Sequence, residues 1–561
     1  MSIKYEFAAG KYQSDFSSAL TQLSGENFLA RLWEKDGSLW SDEPAHRAVA
    51  LNRLGWLNLP SRMIREASVL EDYASAESYR KFTHIVHLGM GGSSLAPEVL
   101  FRSIASAEGY PELTVLDSTD PDQIESVLQK IKLESSLFIV ASKSGTTIET
   151  HSLAKFFYET MLNRYPENIA SHFIAITDPG TALQTAGEAK YARVFLNPPD
   201  IGGRYSALSY FGLVPFALIG GDLTRFLRKS VEEENACGPT MPTPDCSAVQ
   251  LGAFLGALCS AGANKLTIET SPTISTVGWW IEQLVAESTG KNGKGILPVT
   301  GEEMTVPSFY SSDRVFVHMK IRGDVELEKE EKLRILSQNG FPVVSIQLDE
   351  VFDLSGLMYQ WEVATAAASA IIRVDPFDEP NVTESKDNTK MLLHQFESKG
   401  SIQFDEVPLI SGPEKIYGNV ERSGNVYSVL NSLFGRNKAG EYLAIMAYLP
   451  RVDEVDELLE RLRVLLRNRL RIPATVGYGP RFLHSTGQFH KGGTPNGLFL
   501  QFVHSPAATY KIPGEDYDFA TLIRAQAAGD YLALKRKGKP VVSIHLSDYL
   551  ADLKKIIAGI V

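Results

Sequence analysis

A chain of 561 residues is too long for a single hydrophobic core, so two to four domains are expected. Its 44% apolar and 22% charged residues fit an ordinary water-soluble globular protein, and a net charge of −12 argues against nonspecific binding to nucleic acid. The same charge repels anions at long range, so an anionic substrate has to be held by local positive features.

Cys237, Cys246 and Cys259 show neither Cys-x-x-Cys spacing nor a histidine cluster, and they read as reduced thiols of a cytoplasmic protein. The first residues, Met1-Ser2-Ile3-Lys4-Tyr5-Glu6-Phe7, lack the apolar core of a signal peptide. The longest apolar run, 249–263, is shorter than the roughly 20 residues that span a bilayer and is expected to form a buried helix.

In chain order, residues 1–75 carry helix-like segments at 27–33 and 45–57 with several aromatics, and predict a helical collar. Residues 76–231 alternate apolar strands with helical segments. The strands are expected at 84–88, 113–117, 137–141, 173–177 and 194–196. Such alternation predicts an α/β domain whose mostly parallel sheet is covered on both faces, with ligands beyond the carboxyl ends of its strands. The first strand runs into Gly89-Met90-Gly91-Gly92-Ser93-Ser94. Ser94 stands where a dinucleotide fingerprint needs a third glycine, which makes that reading weak. Gly91 and Gly92 still permit close backbone approach, and Ser93 adds a hydroxyl.

The third strand runs into Ser142-Lys143-Ser144-Gly145-Thr146-Thr147-Ile148-Glu149-Thr150, followed by apolar residues at helical spacing. A lysine, a glycine, four hydroxyls and the free amides of a helix N-terminus make a site suited to a dianionic phosphoryl group. The plainer alternative is a helix N-cap, for which one hydroxyl suffices. Farther on, Gly202-Gly203-Arg204-Tyr205-Ser206 places an arginine after paired glycines, where backbone can approach a ligand. A surface arginine on a tight turn is the competing reading.

The turn-rich stretch 232–246 links to a second α/β unit over 245–397, with strands expected at 265–269, 315–321 and 343–348. It contains Gln283-Leu-Val-Ala-Glu287-Ser-Thr-Gly-Lys291 and Asp375-Pro-Phe-Asp-Glu-Pro-Asn-Val-Thr-Glu-Ser-Lys386. A Gly/Pro-punctuated segment at 399–420 precedes a third unit, 400–561. An echo joins the last two units. Glu287-Ser-Thr-Gly matches His484-Ser-Thr-Gly, and Pro342-Val-Val-Ser-Ile matches Pro540-Val-Val-Ser-Ile, at offsets of 197 and 198 residues. The third unit therefore reads as a repeat of the second, with Glu287 and His484 at equivalent points.

Taken together, Gly-Gly-Ser, Ser-Lys-Ser-Gly-Thr-Thr-x-Glu-Thr, Gly-Gly-Arg-Tyr-Ser, Glu-Ser-Thr-Gly-Lys and Asp-Pro-Phe-Asp-x-Pro-x-Val-x-x-x-Lys resemble the phosphoglucose isomerase family of the sugar isomerase (SIS) fold. The Leu-His-Ser-Thr-Gly-Gln-x-His-Lys-Gly-Gly motif is most similar to the isomerase half of fused transaldolase/phosphoglucose isomerases, although no stretch here is left to encode a transaldolase barrel. The resemblance implies two SIS-type αβα sandwiches, the third related unit, a cytoplasmic homodimer and a place in glycolysis and gluconeogenesis. It implies a phosphate site at Gly92, Ser93, Ser142, Lys143, Ser144 and Thr147. Glu287 would be the base, Arg204 the enediolate stabiliser, Gln283 a sugar contact, and His484 with Lys386 the ring-opening pair. Two departures stand out: His484 follows Lys386 instead of preceding it, and Glu379 replaces the family's glutamine.

The chemistry suits these residue types. Aldose–ketose isomerisation moves a proton between neighbouring carbons of an open-chain sugar. A carboxylate such as Glu287 can take that proton and return it, a step worth ~10²–10⁴-fold. The alternative for Glu287 is an i,i+4 pair with Lys291. His484 can exchange a proton near neutral pH, and His490 competes with it for that role. Arg204 offers a permanent charge to a developing enediolate. No metal-ligand cluster is apparent, and neither metal nor cofactor is expected. Two other functions are a non-catalytic sugar-phosphate sensor, which would need neither Glu287 nor Lys386, and an isomerase or amidotransferase lobe acting on another sugar phosphate. The glutaminase partner of such a lobe needs an N-terminal cysteine, and none precedes Cys237.

Overall fold

Continuous apolar runs form the central strands, because a parallel sheet is covered by helices on both faces. The computed structural model describes residues 3–381, 383–402, 407–410, 415–421, 424–438 and 440–560; parts of the expected 399–420 boundary lie outside them. Within them, fifteen strands form three five-stranded sheets. In chain order they are β1 (Lys4–Ala8), β2 (His84–Gly89), β3 (Glu112–Leu116), β4 (Ser136–Ala141), β5 (Phe173–Thr177), β6 (Arg193–Leu196), β7 (Lys265–Thr270), β8 (Leu297–Thr300), β9 (Arg314–Ile321), β10 (Val343–Leu348), β11 (Lys415–Gly418), β12 (Tyr442–Tyr448), β13 (Ala474–Tyr478), β14 (Gly497–His504) and β15 (Val541–Leu546). Seven helices recur below: α1 (Ile148–Arg164), α2 (Ser247–Ser260), α3 (Val277–Thr289), α4 (Leu354–Ile372), α5 (Thr383–Lys399), α6 (Asp453–Leu470) and α7 (Phe519–Arg536).

The first sheet has the order β3-β2-β4-β5-β6, with all neighbours parallel. The chain steps from β2 to one side, then crosses back to β4 on the other. Gly89 pairs with Ala141, so the loops leaving β2 and β4 start side by side at this switch in strand order. The second sheet is β1-β10-β9-β7-β8, and the apolar run at 249–263 forms the buried helix α2, packed on α4. Among the described residues, no helix is long and apolar enough to cross a membrane.

Two elements differ from expectation. The collar does hold short helices, but it opens with β1, which pairs antiparallel with β10. Lys4 and Glu6 are exposed while Tyr5 and Phe7 are half-buried, the two-residue period of an edge strand. β8 was not anticipated, because Pro298 interrupts its apolar run. Its place at the edge of the sheet explains why a proline is tolerated.

The third sheet, β11-β15-β14-β12-β13, has the same order as the second, with an antiparallel strand at the corresponding edge. The downstream echo falls on matching strands, β10 and β15. The upstream echo does not, and the expected equivalence is corrected here. Glu287 lies near the end of α3, before β8, whereas His484 follows β13. Ser, Thr and Gly serve both to end a helix and to begin one, and the same tripeptide does each job once.

The chain divides into two compact units. The first comprises 1–117, 130–301 and 313–378 and holds the first two sheets; the second comprises 118–129, 302–312 and 379–561 and holds the third. The expected boundary at 397–400 falls earlier, after Asp378, because α5 packs along α7.

Candidate active site

In the first unit, two loops meet at the switch point. The loop after β2 is tied by His87, whose Nε2 donates to the Ser93 carbonyl at 2.6 Å. Burial lowers the His87 pKa to about 4, so the imidazole is neutral. Ser93 itself is buried. In the loop after β4, the Ser142 and Thr147 hydroxyls are 3.0 Å apart, and those of Ser144 and Thr146 are 3.1 Å apart. Gly145 takes φ +66°, a conformation costly for other residues. Thr147 occupies the N-cap position of α1 with extended backbone, yet makes no side-chain cap bond. The hydroxyl-rich turn is therefore not an ordinary N-cap. Lys143, expected to hold phosphate, forms an ion pair with Asp178 from the loop after β5. Burial raises the Asp178 pKa, and Lys143 opposes that rise.

A second cluster surrounds Arg204. A Cβ added at Gly92 would come within 2.0 Å of the Gly203 carbonyl oxygen, so the two glycine turns touch backbone to backbone. Helix α3 packs against both turns. It presents Glu287, 8% exposed, with Oε2 3.5 Å from Arg204 Nη1. Gln283, one turn earlier, donates through Nε2 to Glu287 Oε2 at 3.2 Å. Arg204 is 4% exposed; its Nε donates to Ser288 Oγ at 3.0 Å, and its Nη2 to the carbonyls of Pro376 and Asp378, each at 2.7 Å. The segment Asp375–Asp378 thus runs as a strap over the guanidinium. Phe377 pins it, packing edge-on to Trp40 at 4.9 Å and tilted against Tyr205 at 5.3 Å.

Lys291 lies beyond the end of α3. Its Nζ donates to Asp378 Oδ1 at 2.6 Å and also to the Asp375 carbonyl. Burial, assisted by the positive charge of Arg204, lowers its pKa to about 8. Ser288, Asp178, Asp378 and His46 were not singled out from sequence, and Lys291 only as an i,i+4 partner for Glu287, whereas it pairs with Asp378. Three of these five stand in motifs that were quoted, but their roles depend on contacts between distant segments.

In the second unit, His484 is half-buried at the end of the short turn Arg481–His484. The following helix, Gly487–Gly492, is anchored by Gln488, which donates to Asn381 Oδ1 at 2.8 Å and accepts from the Asn381 amide at 2.9 Å. His490 is buried among aromatic rings, 3.1 Å from the Tyr442 hydroxyl, and burial lowers its pKa to about 3. That environment packs His490 in the interior as a neutral imidazole. Lys386 is on the exposed side of α5, whose buried Asn388 donates to the Gly529 carbonyl on α7. Glu379 is exposed.

Two groups not foreseen from sequence bring three ligand-type side chains together: His46, Asp375 and Asp378, and Asp120, Asp122 and His504. Both are joined by internal links. Asp378 is held by Lys291, His504 Nε2 is 2.6 Å from Asp120, and Asp122 accepts the Ala508 amide at 2.8 Å.

This mostly parallel α/β fold recurs in solved structures. A Thermus thermophilus hypothetical protein shares it with a TM-score of 0.60 and 23% identity, over 69% of this chain and 99% of that one. A glucose-6-phosphate isomerase from Chlamydia trachomatis shares it with a TM-score of 0.53 and 19% identity, over 71% and 89%. Residues 68–292 match the phosphoglucose isomerase family model. Curated relatives include a probable glucose-6-phosphate isomerase of Methanococcus maripaludis, 27% identical over 56% of this chain and 80% of its own length. Another is a glucose-6-phosphate isomerase of Leptospira biflexa, 27% identical over 61% of this chain and 86% of its own length.

Proposed function

We propose that the protein is a glucose-6-phosphate isomerase, interconverting glucose 6-phosphate and fructose 6-phosphate through an enediolate. The observation that carries the reading is the buried Glu287 carboxylate beside the Arg204 guanidinium, steadied by Gln283. Glu287 moves the proton between C2 and C1, and Arg204 bears the charge that develops on the oxygens. The phosphate is held by the turns carrying Gly92 and Ser93 and by Ser142, Lys143, Ser144 and Thr147, with the amides at the start of α1. His484 and Lys386 open the sugar ring. The reaction belongs to glycolysis and gluconeogenesis, and the family likeness supports a cytoplasmic homodimer.

A coupled assay with fructose 6-phosphate in EDTA tests reaction and substrate together; no turnover would remove this reading. Glu287→Gln should lower kcat by ~10²–10⁴-fold while the variant still binds fructose 6-phosphate. Full activity in that variant would reject Glu287 as the base. A non-catalytic sugar-phosphate sensor would show binding without turnover in the unaltered protein.

A further inference from the structure

The linker between the first and second sheets brings two thiols together. Cys237 ends the helix Leu223–Ala236 as its C-cap, and Cys246 occupies the N-cap position of α2. They stand nine positions apart in the chain, each is 1% exposed, and their Sγ atoms lie 3.3 Å apart. A disulfide bond is about 2.05 Å long, so closing one requires the sulfurs to approach by roughly 1 Å. The backbone on both sides is held. Trp33 Nε1 donates to the Cys237 carbonyl at 2.7 Å. Gln250 donates through its backbone amide to the Cys246 carbonyl at 2.9 Å and through Nε2 to the Pro244 carbonyl at 2.7 Å. Pro239, Pro242 and Pro244 further restrict the chain between the cysteines.

The two thiols are not equivalent. The hydrogen bond between them lowers the Cys246 pKa against the effect of burial, and the Val249 and Ala248 amides at the start of α2 act in the same direction as that bond. The same bond, together with burial, raises the Cys237 pKa. Cys246 is therefore the sulfur that reacts first, and Cys237 the one that follows. Cys259 contrasts with both: it donates to the Gly295 carbonyl at 3.5 Å, and burial raises its pKa to about 12. Pro239, Thr240, Pro242, Pro244 and Asp245 are exposed, so the segment joining the paired thiols runs at the surface, within reach of a small oxidant.

We propose that Cys237 and Cys246 are a peroxide-oxidisable dithiol that closes to a disulfide across the linker. The Cys246 thiolate attacks one peroxide oxygen and breaks the O–O bond, leaving a sulfenic acid and a hydroxide, which takes up the proton that Cys246 lost and becomes water. The Cys237 sulfur then attacks the sulfenic sulfur, the S–O bond breaks, and the Cys237 proton leaves with that oxygen as a second water. The two thiols give up two electrons, and one peroxide gains them. A thiol reductant reverses the oxidation by exchange.

The test is a free-thiol count on the folded chain after exposure to dilute hydrogen peroxide, with the peroxide quenched and the chain denatured before counting. Of the three thiols, two should be lost. Peptide mapping should find Cys237 joined to Cys246, and dithiothreitol should restore both. Thermal unfolding of the oxidised protein should give a Tm no lower than that of the reduced one, as expected for a cross-link that fits the native spacing. Cys246→Ser should keep both of its remaining thiols under the same exposure; where that variant does not fold, the peptide map of the unaltered protein decides alone. Three thiols surviving in the folded, unaltered protein would overturn the proposal. So would a disulfide that includes Cys259 or joins two chains, oxidation of Cys246 alone to the sulfinic acid, a Tm that falls on oxidation, or loss of the Cys237 thiol in folded Cys246→Ser.

Discussion

Lys143 reaches the Asp178 carboxylate across neighbouring strand ends. An arriving phosphoryl group would draw on a cation that already has a partner, and the amides and hydroxyls of the same turn share the work. Lys143→Ala should therefore raise KM for fructose 6-phosphate only moderately, about tenfold, which corresponds to ~1.4 kcal/mol. An unchanged KM in steady-state kinetics would take Lys143 out of the phosphate site. His490 sets a pH dependence of stability. Its neutral form is favoured in the folded chain, with a pKa near 3 against an ordinary 6.5, and burial is the first cause. The unfolded chain binds more protons between these values, so this contribution is complete above pH 6.5 and is lost as pH falls toward 3. His87, lowered to about 4, acts in the same direction. His490→Gln should flatten the fall of Tm between about pH 6.5 and 4, measured by thermal unfolding across that range. A fall as steep as in the unaltered protein would assign the acid sensitivity elsewhere.

Elements were legible where one segment carried its own signal. The strands at 173–177 and 343–348 were readable from their apolar runs, and the helix start after Thr147 from its hydroxyls. β1 was missed because its five residues gain burial only against β10, and β8 because proline argues locally against a strand. The strap at 375–378 was visible as a motif. Its grip on Arg204 was not, because a carbonyl contact leaves no mark on residue identity. The same holds where the glycine turns meet. Gly92→Ala would place a methyl group 2.0 Å from the Gly203 carbonyl oxygen. The turns should separate, lowering stability by ~1–3 kcal/mol and reducing kcat as Arg204 shifts. Wild-type denaturant midpoint and turnover in this variant would show that the turns tolerate the methyl group.

For the whole molecule, the pattern of alternating strands and helices predicted three α/β sheets but not how the chain is shared between compact units. Residues 118–129 and 302–312 belong to the unit built mainly from 379–561, and α5 belongs there too. Composition does not change at these points. They are set by which surfaces pack, as α5 does along α7. The repeat was legible at β10 and β15, where seven residues recur almost unchanged and both strands occupy matching places in their sheets. It misled at Glu287 and His484, where a short Ser-Thr-Gly sequence satisfies two different backbone geometries.

The antiparallel strand β1 has a further consequence, for synthesis on the ribosome. Lys4 pairs with Gln347, so β1 leaves the exit tunnel long before its partner strand is made. Until Leu348 has emerged, those early residues remain without their sheet, and the nascent chain carries an unsatisfied strand that can find wrong partners. Closing the second sheet is a long-range event, and it ties completion of the Arg204-bearing unit to translation of its distant half.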